Sequence, residues 1–324
     1  MILVADSGST KTDWLLRPES SLSGEAVTQR FHTQGINPIH QSDAQILDIL
    51  RGELLPQLRE ALTPTDNITP PEGNVPFTPP SLPLHSPFTP LEIEFYGSGV
   101  RPDQEARMEQ LLREALTAID SNVSFTSPSL LLHFPFTPLK IEAHSDLLGA
   151  ARALCGDSEG LACILGTGAN SCLYDGEHIV ANTPPLGYIL GDEGSGAVLG
   201  KRFLNALYKG HLGNKIKSDF EAEMQMTLTE VIDRVYRQPL PNRWLASLSP
   251  FIHSRLDDPA VEALVVGNFS DFIARNIEPY HRPDLPLQAV GSIAFFYKDQ
   301  LCHAARKAGY AVGNILRSPL DGML

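Results

Sequence analysis

MILVADSGSTKTDWLL, residues 1–16, is the stretch on which the fold turns. It reads as strand, tight polar turn, strand. Ile2-Leu3-Val4-Ala5 is one apolar run and Thr12-Asp13-Trp14-Leu15-Leu16 is a second, β-prone one. Between them stand Asp6, Ser7, Gly8, Ser9, Thr10 and Lys11. Small residues let the backbone pass close to a ligand, and successive N–H groups in such a turn form an anion-binding nest. Asp6, at the end of a buried strand, can hold a hydrated Mg²⁺, a hard cation that prefers oxygen ligands. Lys11 adds positive charge for phosphate oxygens. The alternative is an ordinary Gly/Ser hairpin turn. Asp, Gly, Thr and Lys together favour a nucleotide phosphate turn. The stretch is not a Walker A loop, which needs G-x-x-x-x-G-K-[ST] opening a helix.

The same pattern returns in the second half. Leu161-Ala162-Cys163-Ile164-Leu165 is an apolar strand, Gly166-Thr167-Gly168 a turn, and Ala169–Tyr174 a second strand closing on Asp175-Gly176. The lysine is missing. Two such hairpins, one opening each half, make a long-range architectural repeat. A nucleoside triphosphate held between two lobes needs a phosphate turn from each.

Between and beyond the hairpins lie four polar signals. Gly35-Ile36-Asn37-Pro38 is a turn ahead of a helical period from Ser42 to Leu62. Asn37 offers a donor and an acceptor, which suits a polyol or amide ligand, but it serves equally as a turn former. Ser145-Asp146 opens a helix through Leu154, where the helix dipole favours an ionised carboxylate. Such a carboxylate is a good general base for a hydroxyl, and it is also what a plain N-cap looks like. Gly191-Asp192-Glu193 precedes the helix Ala197–Tyr208. Two adjacent acids can accept sugar hydroxyls, or simply cap the helix. Gly291-Ser292 turns a short strand, 286–290, into a helix read to about Ala308, where backbone can approach a nucleoside.

The 324 residues carry a net charge of −13, which argues against a nucleic-acid or membrane-surface partner. No apolar run approaches the ~20 residues of a membrane helix. The start, with Asp6 and Lys11 inside it, is not a secretory signal, so a cytoplasmic home is expected. Cys155, Cys163, Cys172 and Cys302 lack C-x-x-C spacing and read as reduced, mostly buried thiols. Pro-rich stretches near 63–91 and 121–139 contain a duplication. PSLPLHSPFTPLEIE (80–94) matches PSLLLHFPFTPLKIE (128–142) at nearly every position. Each copy precedes a short strand, so the pair reads as insertions in surface loops, where added length costs little.

The order D-S-G-S-T-K-T-D, Asp146 opening a helix, L-G-T-G-A-N-S, G-D-E-G-S-G and a late A-V-G-S resembles the acetate/sugar kinase, heat-shock chaperone and actin superfamily. Within it the chain resembles the N-acetylglucosamine kinase-like proteins, grouped with the ATPases that activate benzoyl-CoA reductase and 2-hydroxyacyl-CoA dehydratase. The resemblance implies an α/β chain of two ribonuclease H-like lobes, residues 1–145 and 146–308, closing on ATP and Mg²⁺. A C-terminal helix at about 309–324 would return to the first lobe. It implies that Asp6, Gly8, Ser9, Thr10 and Lys11 form the first phosphate turn and Gly166, Thr167 and Gly168 the second. Gly291 and Ser292 would lie near the adenosine. Asp146 would be the base for the sugar's C6 hydroxyl, with Asn37, Gly191, Asp192 and Glu193 holding the sugar. Phosphoryl transfer needs mainly positioning and charge neutralisation, and closure would exclude water. Proteins of this group are often dimers, so a homodimer is one expectation. An ATPase that activates a partner enzyme and a non-catalytic sugar sensor are the other readings. The activators hold an iron–sulfur cluster on cysteines whose spacing these cysteines do not match.

Overall fold

The computed structural model describes residues 1–8, 10–17, 28–62, 90–117 and 137–323. Ser9 and most of both Pro-rich stretches lie outside the described residues. The chain divides into two compact units, Met1–Asp146 and Leu147–Leu324.

In the first unit, β1 (Ile2–Ser7), β2 (Lys11–Arg17) and β3 (Gln29–Gln34) form an antiparallel meander. Helix α1 (Asp43–Ile49) runs through a π-helical turn, Leu50–Leu54, into α2 (Leu55–Leu62). Then come β4 (Pro90–Gly97), α3 (Pro102–Thr117) and β5 (Thr137–Ser145). The sheet order is β3-β2-β1-β4-β5, with β4 parallel to β1 and β5 parallel to β4. β1 is continuously apolar because it is central: Leu3, Val4 and Ala5 are fully buried. β3 has the alternation of an edge strand, with Phe31 and Thr33 inward and Arg30, His32 and Gln34 exposed. Trp14 is fully buried, packs on Phe95 at 5.9 Å between ring centroids, and donates its indole N–H to Thr33 Oγ1 at 3.0 Å. The helix predicted from Ser42 begins there: Ser42 and Gln45 form a reciprocal capping box.

The second unit repeats this topology. It contains α4 (Asp146–Cys155), whose first residue closes the first unit, then β6 (Gly160–Leu165), β7 (Ala169–Tyr174) and β8 (Ile179–Asn182). Nine helices follow in two runs. The first is α5 (Gly187–Leu190), α6 (Gly196–Tyr208), α7 (Gly213–Met224), α8 (Leu228–Tyr236), α9 (Pro241–Ala246), α10 (Ser249–His253) and α11 (Pro259–Phe272). After β9 (Leu287–Val290) come α12 (Ser292–Phe296) and α13 (Lys298–Lys307), and then β10 (Val312–Leu316). Sheet order is β10-β9-β6-β7-β8, the same arrangement as in the first unit, with matching strand directions. Two units of this order give the ribonuclease H-like, actin-like architecture that the resemblance implies.

Three expectations need correction. The tail is not a helix. Val312–Leu316 pairs in parallel with β9, and only Pro319–Asp321 coils, as one 3₁₀ turn capped by Ser318. The strand wins because Val312, Ile315 and Leu316 complete the sheet edge, and a left-handed Gly309 (φ +85°) has already ended α13. The helix read from Ile293 to Ala308 breaks at Tyr297, whose ring is buried and whose hydroxyl donates to Ser249 O at 2.5 Å. The duplicated stretches are not wholly loop. Glu92-Ile93-Glu94 and Lys140-Ile141-Glu142 lie inside β4 and β5 and face each other residue for residue, at the same offset that separates the two copies.

Candidate active site

The first unit gathers its candidate residues at one sheet edge. Register sets Ser7 level with Gly97 and Gly97 level with Ser145. The turn after β1, the Gly97–Gly99 turn after β4 and Asp146 after β5 therefore open from the C-terminal ends of neighbouring parallel strands. Ligands of open α/β sheets bind at such edges. With strands about 4.8 Å apart, Asp146 stands roughly 10 Å along the edge from the end of β1. Asp146 is the first residue of α4, where the positive end of the helix dipole favours its ionised form.

The hairpin turn is closed by the Gly8 N–H, which donates to Lys11 O at 3.0 Å. Asp6 is the penultimate residue of β1 and half-buried, while Gly8, Thr10 and Lys11 are exposed. The Lys11 ammonium lies 2.7 Å from Asp13 Oδ2, and Asp13 also takes His32 Nδ1 at 2.5 Å. Asp13 thus fixes where Lys11 points. At the far side of the turn, Gly35 N–H donates to Thr10 O at 3.1 Å.

Asn37 is built into the same edge. Its backbone N–H donates to Gln41 Oε1 at 2.7 Å, and its Oδ1 accepts the Ile39 N–H at 3.0 Å. Arg107 of α3 ties the following turn down, donating to Asp43 Oδ1, Pro38 O and Gln41 O at 2.7, 2.6 and 3.1 Å. The Asn37 side chain lies flat on Gly99, which has φ +87°; a Cβ there would sit 2.4 Å from Asn37 Oδ1. With Oδ1 engaged, the Nδ2 amide donates to nothing among the described residues and is available to a ligand. Gly99 escaped the sequence reading because its role depends on a partner across the sheet.

In the second unit three separate motifs meet. Gly166 N–H donates to Gly168 O at 2.9 Å, and the carbonyls of Gly166 and Thr167 accept the first N–H groups of α6, from Gly196 at 2.8 Å and Ala197 at 3.1 Å. Ser195 caps the same helix by accepting Val198 N–H at 3.1 Å. The phosphate-type turn and G-D-E-G-S-G are thereby one structure. Gly291, at φ +117°, passes so close to the turn that a Cβ would lie 2.5 Å from Leu165 O. This brings Gly291 and Ser292 beside Gly166.

Asp192 sits on that turn. It holds φ +54°, its N–H donates to Pro185 O at 2.8 Å, and its O accepts Ser195 N–H at 3.0 Å. Its carboxylate lies against Gly168 and accepts the Ala169 N–H. Burial pushes its pKa up to about 6, with the Ala169 N–H opposing and the neighbouring Glu193 adding to the rise. Gly191 N–H donates to Gly187 O at 2.7 Å, which closes α5 in front of it. Glu193 turns the other way, toward Asn276 Nδ2 at 3.4 Å and Arg275 at 3.7 Å. Both come from a π-helical turn, Ile273–Ile277, a local irregularity frequent at functional sites. Neither Asn276 nor Arg275 carries a local sequence signal. Asn37 and Asp192, read together as sugar ligands, belong to different units.

No family profile matches the chain, and no curated protein does. Solved structures do. The chain is 43% identical to a candidate N-acetylglucosamine kinase from Porphyromonas gingivalis, with a TM-score of 0.78, covering 100% of this chain and 97% of that one. The chain belongs to the N-acetylglucosamine kinase-like sugar kinases. A candidate N-acetylglucosamine kinase from Chromobacterium violaceum shares the fold at 19% identity, with a TM-score of 0.66 over 99% of this chain and 96% of that one.

The cysteines of this kinase-like chain sit inside the second unit's sheet and beside it. Burial holds the Cys163 thiol far above its usual range, Cys172 up to about 12 and Cys155 up to about 11. Among the described residues no set of three or more His, Cys, Asp and Glu is placed to hold a metal. A Mg²⁺ carried in with phosphate and waters needs no such cage, and Asp6 at a strand end suits it. No helix among the described residues is long and apolar enough to cross a membrane.

Proposed function

We propose that the protein transfers the γ-phosphoryl group of ATP to the C6 hydroxyl of an amino sugar, N-acetylglucosamine. The observation that carries this reading is the sheet edge of the first unit. A phosphate-type turn, an amide with a free donor at Asn37 and a carboxylate at Asp146 open from it together.

Each group has a role that its chemistry suits. Thr10 and the Lys11 ammonium, exposed at the first turn, suit phosphate oxygens. Asn37 Nδ2 donates to a sugar hydroxyl and so sets which face of the sugar is presented. Asp146 accepts the proton of the C6 hydroxyl as its oxygen attacks the γ-phosphorus. The bond from that phosphorus to the β,γ-bridging oxygen breaks, and ADP leaves. In the second unit, Thr167 and Gly168 suit phosphate oxygens in the same way, the Gly166 N–H being already given to Gly168 O. Gly291 and Ser292, packed on that turn, suit the nucleoside end. Asp192 is a hydroxyl acceptor, ionised above about pH 6. Asp6 would hold Mg²⁺ through water, and the ion would supply charge neutralisation on the phosphates.

The choice of N-acetylglucosamine rests on the 43% identity to the Porphyromonas protein. The test is ADP release with Mg²⁺-ATP across a panel of hexoses and hexosamines. The expected result is sugar-dependent release, greatest with N-acetylglucosamine. Absence of sugar-dependent release across the whole panel would refute the kinase reading.

A further inference from the structure

Ser7 stands where the first phosphate-type turn begins, and Thr12 where it ends. Both side chains are fully buried. Their hydroxyls lie 2.7 Å apart. Ser7 Oγ is also 2.9 Å from Ile36 O and accepts the Ile36 N–H at 3.1 Å. Thr12 Oγ1 lies 3.1 Å from Gln34 O. Each hydroxyl has one proton, so the pair shares two donations among Ile36 O, Gln34 O and each other, and accepts the amide of Ile36. The Ser7 backbone O accepts the Ser98 N–H at 2.8 Å, one residue before the glycine on which Asn37 lies.

We infer that Ser7 and Thr12 are positioning residues that lock Asn37 to the phosphate turn through Ile36. They stand at the two ends of the turn: Ser7 Oγ meets the residue immediately before Asn37 on both its N–H and its C=O, and Thr12 Oγ1, bonded to Ser7 Oγ, reaches Gln34 O. The two ends of the turn and the sugar-facing amide are therefore tied together, and the distance between bound phosphate and bound sugar is set in part by two hydroxyls that touch neither. The inference rests on the sugar-kinase reading for what Asn37 holds, but the clamp itself is independent of that reading.

Thr12→Val removes a hydroxyl at nearly constant shape, Ser7→Ala removes the other, and Thr12→Ser keeps the hydroxyl. Two measurements decide. The first is native-state hydrogen exchange without ligand. In Thr12→Val and Ser7→Ala, the amides of residues 35–37 are expected to exchange about tenfold faster or more, the worth of one lost hydrogen bond. Helix α3 should be unchanged, and Thr12→Ser should match the wild type. Unchanged exchange at 35–37 in both hydroxyl-deleted variants would overturn the clamp. The second is steady-state kinetics with N-acetylglucosamine and Mg²⁺-ATP. The sugar KM is expected to rise about tenfold, with the ATP KM within about twofold and recovery in Thr12→Ser. A loss confined to kcat, or an equal loss in Thr12→Ser, would overturn the positioning role. A wild type that phosphorylates no sugar counts against the kinase reading, and the exchange measurement then decides the clamp alone.

Discussion

Asp192→Asn should stabilise the protein while impairing it. The carboxyl is raised from 3.8 to about 6, chiefly because burial penalises its charge. At about 1.36 kcal/mol per pKa unit, the ionised form costs up to roughly 3 kcal/mol. The group keeps part of its hydration, so solvent screening cuts this to roughly 1.5 kcal/mol. Its left-handed backbone, φ +54°, is one that Asn accepts at least as well as Asp, so the substitution adds no strain. Above pH 6 Asp192 is ionised both folded and unfolded, and the penalty is fully present. Between about 6 and 4 the folded protein holds a proton that the unfolded chain does not, and the penalty fades. Below about 4 both states are protonated and it is gone. Wild type therefore loses stability relative to the variant as pH rises through this window. Thermal melts of both proteins between pH 4 and 8 read it directly. The expected gain at pH 7.5 is roughly 3–6 °C for a unit of this size, shrinking toward zero near pH 4. Kinase activity should fall at least tenfold in the variant, since the amide loses the negative charge and one of the two acceptor oxygens offered to sugar hydroxyls. In wild type, kcat/KM should fall below about pH 6 as the carboxylate is protonated. A variant no more stable than wild type at pH 7.5, or a gain indifferent to pH, would refute the reasoning.

Other expectations follow from the same geometry. Asp146→Asn should lower kcat by about 10²–10⁴-fold, the usual worth of a general base, while isothermal titration shows nucleotide affinity unchanged. Gly99→Ala should cost about 1–2 kcal/mol of stability in urea unfolding, because φ +87° is strained for alanine, and the new methyl would displace Asn37. Its sugar KM should rise as much as in Asn37→Ala; a normal sugar KM would separate Gly99 from the sugar. Cys163 and Cys172 should resist maleimide labelling at pH 8 in the native protein and react at once in guanidinium, since burial keeps both as thiols.

Both hairpins were legible in the sequence because their signals are local: an apolar run, a small-residue turn, a second β-prone run. Strand β3 was not. Its outward residues, Arg30, His32 and Gln34, are polar, and only Phe31 and Thr33 mark its inward face. The tail departs from the helix that the resemblance implies: only Pro319–Asp321 coils, and Val312–Leu316 is recruited by β9, a partner remote in sequence. The site divides along the same line. Asp6, Asp146, Asn37 and the Gly166–Gly168 turn announce themselves by residue type beside a predicted strand or helix end. Gly99 under Asn37, the Ser7 and Thr12 hydroxyls on Ile36, and Asn276 against Glu193 are tertiary contacts with no local signature.

The duplicated stretch shows most clearly how sequence and register interact. Read alone, two copies of a Pro-rich segment look like loop insertions, and most of each copy lies outside the described residues. Yet the last five residues of the first copy and the last six of the second are strand, and Ile93 pairs with Ile141 in the parallel β4–β5 ladder. In register, like residues stand side by side and the buried face of one continues that of the other: Ile93 and Ile141 are 0% and 6% exposed. A slip by one residue would set Ile93 beside Lys140 or Glu142 and turn a charge toward the core. From Glu92 on, the duplicated residues therefore stand in register in the two strands that lead to Gly97 and Asp146 at the sheet edge, whereas Pro90 and Leu91 pair one residue out of step, with Thr137 and Pro138.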